Sequence, residues 1–150
     1  MDLLKMLDEF IGQIMVNSFL TEKQQEEKII QVFDLCHFIN CYEQPLTIVD
    51  CCSHKISIVE DDGVKKGIYF CDLIYNTRYF FDESLYNSFI LDAFRRQFNV
   101  KELWFVIVEE RFKADNITDS ACFIKSNNVD SLYDKIYHFN FPQSIIKILK

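Results

Sequence analysis

The chain has 150 residues, of which 49% are apolar and 26% charged, with a net charge of −7 at neutral pH. These values lie outside the low-hydrophobicity, high-charge regime of disordered chains, and the length suffices for a packed core without disulfide or metal staples. The carboxylate excess argues against nucleic acid or an anionic membrane surface as a direct ligand, because Lys and Arg hold phosphates.

In residues 2–19, Leu3, Met6, Leu7, Phe10 and Ile14 recur at helical spacing, with Ile11 and Met15 continuing the apolar face, which predicts an amphipathic helix. Thr21-Glu22-Lys23-Gln24 is a capping-box pattern and predicts a second helix running to about Tyr42. That helix is polar through Gln24, Gln25, Glu26, Glu27 and Lys28, then apolar through Ile29, Ile30, Phe33, Cys36, Phe38 and Ile39. Two such helices with a short joint read as a helical hairpin. Gln44-Pro45 stops it. Residues 46–52 are rich in β-branched side chains and residues 55–60 alternate, so both are expected as strands. Asp61-Asp62-Gly63 is a turn, and residues 66–75 form the returning strand. Asp82-Glu83-Ser84 predicts the start of a third helix with Leu85, Phe89, Ile90, Ala93 and Phe94 as its apolar set, and Arg95 and Arg96 suit its C-terminal end. Residues 103–108, Leu-Trp-Phe-Val-Ile-Val, are the most apolar strand candidate and are expected at the centre of the sheet, buried on both faces. Ala121–Ile124 reads as a short further strand, residues 129–139 as a helix that Pro142 ends, and residues 143–149 as a last helical turn or two. The expected fold is α+β: an N-terminal helical hairpin followed by a mixed, mainly antiparallel sheet of about five strands with helices packed on it, in one globular domain spanning 1–150.

Fifteen Phe and seven Tyr exceed the needs of one small core, so some rings are expected at the surface, where they favour partner contact. Residues 1–82 carry 14 acidic and 7 basic side chains, whereas residues 83–150 carry 9 of each. The excess negative charge therefore lies in the first part of the chain and suggests an acidic face. The N-terminus lacks a basic start followed by an apolar run, and no stretch of about 20 apolar residues could span a bilayer. A cytoplasmic chain with reduced thiols is expected, and its six cysteines then pack as small hydrophobes.

Several constellations could carry chemistry. The order α-β-β-β-α-β occurs in the core of a large group of nucleases, where two carboxylates and a lysine on adjacent strands hold a divalent ion and orient water. Asp50, Glu60, Asp61, Asp62 and Lys65 are available for this, yet Asp61 and Asp62 belong to a turn, and Gly67-Ile68-Tyr69-Phe70-Cys71-Asp72 offers no acid-x-Lys triplet. Cys36, His37, Cys41, Cys51, Cys52 and His54 fall close together, but without a Cys-x2-Cys unit, and Cys51 and Cys52 on one strand would point to opposite faces. Cys52 and His54 could share a face as a nucleophile pair, but in an acidic segment that does not activate a thiol. Glu109-Glu110-Arg111 ends the central strand without a His or Lys partner. No Gly-rich phosphate loop exists among three glycines. No catalytic residues, metal site or cofactor are therefore assigned.

The remaining expectation is a non-catalytic acidic protein that neutralises a basic protein partner by direct binding, carboxylates speeding the encounter and aromatic anchors holding it. In size and composition the chain is similar to bacterial immunity proteins that block toxic nucleases, a resemblance that covers no motif. A nuclease toxin is the partner this implies. The residues expected to bind it are Asp50, Glu60, Asp61, Asp62 and Asp72. An enzyme with a site assembled only in the fold, such as a divalent-metal nuclease, or a structural adaptor are the other readings.

Overall fold

The computed structural model describes residues 3–16, 19–51, 53–74, 78–79, 87–110 and 117–150. Helices α1 (Leu3–Met15) and α2 (Glu22–Cys41) form the expected hairpin. The capping box is present: Thr21 Oγ1 accepts the Gln24 N–H at 3.2 Å, and Gln24 Oε1 accepts the Thr21 N–H at 3.0 Å. Gln25 donates to the carbonyl of Ile14 and ties the two helices together.

Strands β1 (Thr47–Asp50), β2 (Ser57–Asp61) and β3 (Val64–Ile74) are successive antiparallel neighbours, and the two-residue β4 (Arg78–Tyr79) pairs with the end of β3. Helix α3 (Ser88–Phe98) then crosses over to β5 (Glu102–Glu109), which lies parallel to β3. Helices α4 (Ile117–Ser126) and α5 (Val129–Leu132) lead to β6 (Lys135–Asn140), parallel to β5, and β7 (Ile145–Ile148) returns antiparallel. Among the described residues the strand order is β1-β2-β3-β5-β6-β7, with short β1 and β7 at the edges. The fold is α+β, with a mixed sheet and helices on both faces.

The C-terminal third departs from the sequence expectation. Ala121–Ile124, expected as a strand, lies within α4, because two parallel neighbours such as β5 and β6 need a crossover connection. Ser120 and Ile124, one helical turn apart, are both buried. Residues 129–139, expected as one helix, give a single turn and then β6. Residues 143–149, expected as helical turns, supply β7 after a turn in which Ser144 adopts φ 56°. The sheet consequently has more than the five strands expected. The expected start of the third helix, Asp82-Glu83-Ser84, lies outside the described residues. The described helix begins after Asn87, whose Oδ1 accepts the N–H groups of Phe89 at 2.9 Å and Ile90 at 3.3 Å. Phe89 and Ile90 therefore sit exposed in its first turn, and Leu91 is the residue buried.

Strand β5 is central, as its composition predicts, with Leu103–Val108 all inaccessible. Its alternate residues feed two cores. Trp104, Val106 and Val108 face Val32, Leu35 and Phe38 of α2, together with Val59, Ile68, Phe70, Tyr137 and Phe139. Leu103, Phe105 and Ile107 face Leu91, Ile124, Val129 and Tyr133 on the opposite side. Phe38 anchors α2 through ring contacts with Phe70, Tyr137 and Phe139, each at 5.8 Å. Gly67 on β3 marks a close approach: a Cβ there would lie 2.8 Å from both Ile56 Cγ2 and Leu103 Cδ2. Arg95 of α3 pairs with Asp134 at 2.8 Å, and the same Asp134 oxygen accepts the Leu103 N–H at 2.8 Å, which locks the start of β5 to the α3 side.

Candidate functional site

The five acidic residues expected to bind a partner do not form one patch. Glu60, Asp61 and Asp62 meet at the β2–β3 tip, where Asp62 (φ 50°) and Gly63 (φ 79°) make the tight turn. Positive charge faces two of them. Glu60 is opposite Lys65 across the ladder, and Asp61 Oδ2 lies 3.4 Å from Lys66 Nζ. The Lys66 ammonium also sits 5.0 Å from the centre of the Trp104 ring, which Lys135 approaches to 5.3 Å. Glu60 and Asp61 are half-buried, and Asp62 is exposed. Asp50 ends β1 and accepts the Ser53 N–H at 3.0 Å, a local turn cap. Asp72 lies towards the other end of β3, about 25 Å along the strand from the tip at the usual rise per residue.

At that end Asp72 meets Asp34 of α2. The two carboxyls share a hydrogen bond, and Asp34 is only 2% exposed. Asp34 Oδ2 and Asp72 Oδ1 are buried without a further hydrogen-bond partner among the described residues. Burial, the neighbouring Asp72 charge and Glu110 just past β5 hold the Asp34 carboxyl well above the usual carboxylate range. Burial also pushes Asp72 up, to about 6, although the Asp34 hydrogen bond opposes this. On the other face, Glu109, Ser120, His138 and Asn140 are buried at the C-terminal ends of β5 and β6 or on α4 above them. His138, inside the segment expected as a helix, is instead a strand residue opposite Ile107.

The cysteine and histidine candidates disperse. Cys36 points into the core, where burial raises its thiol pKa. His37, lowered by burial, lies against Phe139 and Phe141 and bonds to Ser144 at 3.1 Å. His54 packs against Phe94 and Phe98. Cys52 lies outside the described residues. Among the described residues no three His, Cys, Asp or Glu side chains are placed to hold a metal ion, and no disulfide joins the cysteines. No helix there is long and apolar enough to cross a membrane.

Large apolar side chains are exposed on the helical hairpin, some of them, such as Met15, Ile30 and Phe33, read from the sequence as part of its apolar pattern. Met15 is 57% exposed, Val16 82% and Phe19 94%, all at the α1–α2 elbow. Ile30 and Phe33, expected on the apolar face of α2, are 48% and 44% exposed. Residues 22, 26, 30 and 33 follow helical spacing, so Glu22, Glu26, Ile30 and Phe33 form one stripe along α2, opposite the buried Val32 and Leu35. The spacing of Ile29, Phe33 and Cys36 puts Phe33 with the apolar residues, so the sequence does not reveal this stripe. The chain matches no protein-family model and no curated protein sequence.

Proposed function

We propose that this chain is a non-catalytic binding protein of the cytoplasm that captures and neutralises a basic protein partner, in the manner of an immunity protein acting on a toxin. The exposed apolar residues of the acidic helical hairpin carry this reading. Met15, Val16, Phe19, Ile30 and Phe33 supply apolar contact area, and Glu22, Glu26 and Glu27 stand beside them along α2. Large apolar side chains in water cost solubility unless something covers them, and aromatic anchors rimmed by charge are the usual make-up of a binding hot spot. The carboxylate rim selects a cationic partner and speeds its approach. Asp62, and to a lesser degree the lysine-faced Glu60 and Asp61, add negative field from the β2–β3 tip. Asp72, engaged with Asp34, contributes through the fold rather than by touching the partner.

The test is capture of a partner from the cells that make the chain, followed by reconstitution from purified components. The reading expects a stoichiometric complex with a protein of basic isoelectric point, whose Kd weakens steeply with added salt. A purified complex indifferent to salt, or a partner without net positive charge, would refute it.

A further inference from the structure

We propose that the carboxyl pair of Asp34 and Asp72 is a proton-operated latch: a single shared proton holds α2 against β3, and its loss to solvent opens the helix locally. The geometry is specific. Asp34 projects from the middle of α2 into a face otherwise made of Val32, Leu35 and Phe38, and Asp72 continues the inward-facing series of Ile68 and Phe70 on β3. The two side chains hydrogen-bond to each other, and one oxygen of each is buried with no further partner among the described residues. Two carboxyls in such contact hold together only while a proton lies between them. With the proton gone they are like charges in contact at low dielectric, and no donor among the described residues compensates those buried oxygens.

The surroundings reinforce this. Beyond β5, Glu110 adds a further negative charge that acts on both groups. One turn further along α2, His37 faces Phe139, Phe141 and Ser144. From β6, Tyr137 bonds to Tyr42 and its pKa is raised, so it stays neutral. From α1, the charged Lys5, Asp8 and Glu9 are all exposed. Asp34 is held well above the ordinary carboxylate range, so the shared proton outlasts those of ordinary carboxyls as pH rises, and the latch opens when it leaves. Because α2 carries the Glu22–Phe33 stripe, the latch sets how firmly that surface is presented. It stands on the carboxyl geometry and is independent of the partner reading.

Hydrogen exchange of the full-length chain, corrected for intrinsic rates, tests it with β5 amides as the internal reference. Protection of α2 amides relative to β5 should fall at least tenfold between pH 6.5 and pH 9 in the wild type. In Asp34→Asn, whose amide donates permanently, it should change by less than threefold. Asp72→Asn, which removes the repulsion from the other side, should be equally flat and serves if Asp34→Asn does not fold. Infrared difference spectra should show a protonated carboxylic acid at neutral pH that Asp34→Asn abolishes. The latch is refuted if α2 follows β5 across the pH range, if the folded variant keeps the wild-type fall, or if no protonated acid is seen at neutral pH.

Discussion

Replacing Asp72 by asparagine should make this protein more stable at neutral pH, although it removes a buried hydrogen-bonding carboxylate. Asp72 is pushed up to about 6, mainly by burial. A carboxyl with a raised pKa keeps its proton in the folded chain over a range in which the unfolded chain has already released it, so stability falls as pH rises through that range. Below about pH 3 both states hold the proton and there is no cost, and above about pH 7 the cost is complete, at roughly 3 kcal/mol. At pH 4.5 only about a third of it has accrued. The substituted amide carries no charge and can donate to Asp34, so the variant escapes the cost at every pH, and release of Asp34 from a like charge acts in the same direction. The stability difference between Asp72→Asn and the wild type should therefore shift in favour of the variant by about 2 kcal/mol between pH 4.5 and pH 7.5. Urea unfolding of both proteins at both pH values, with unchanged slopes, measures that double difference free of the other carboxylates. A difference that stays constant with pH, or moves against the variant as pH rises, would refute a strained carboxyl pair.

Other perturbations follow from the same geometry. Thr21→Ala removes one arm of the capping box and should cost about 1 kcal/mol in urea unfolding, with little left for Gln24→Ala to remove in the double variant. Gly67→Ala puts a methyl group 2.8 Å from Ile56 and Leu103 in the middle of the sheet and should lower stability by about 1–3 kcal/mol. A neutral or stabilised variant would mean that those side chains give way freely. Phe19→Ser, at a side chain 94% exposed, should leave the unfolding free energy within about 0.5 kcal/mol of wild type while weakening partner binding at least tenfold.

What can be read from the sequence follows how local each signal is. The start of α2 is legible because Thr21 and Gln24 are three residues apart and satisfy each other without help from the rest of the chain. β5 is legible because an unbroken run from Leu103 to Val108 can be buried on both sides only at the centre of a sheet. β6 is not: Ile136, Tyr137 and Phe139 fit either period over so short a stretch, and parallel pairing with β5 decides between them. The same holds for Ala121–Ile124, which become helical because β5 and β6 need a crossover. Among the acidic candidates, nearness in sequence misleads, because β3 carries Asp72 away from Glu60, Asp61 and Asp62. Its real neighbour, Asp34, is 38 positions earlier and meets it only once α2 lies on the sheet. An aspartate between Phe33 and Leu35 in an apolar stretch is the one local hint.

The central claim, that the helical hairpin is the binding surface, is tested most directly by comparing two charge-and-contact variants in calorimetry with the purified partner. The first combines Glu22→Lys, Glu26→Lys and Phe33→Asp on α2. The second combines Glu60→Lys, Asp61→Lys and Asp62→Lys at the β2–β3 tip. Binding weakened by roughly a hundredfold or more in the first and changed less than about tenfold in the second, with both folded, is the predicted result. Full affinity in the hairpin variant would rule out the hairpin as the binding surface.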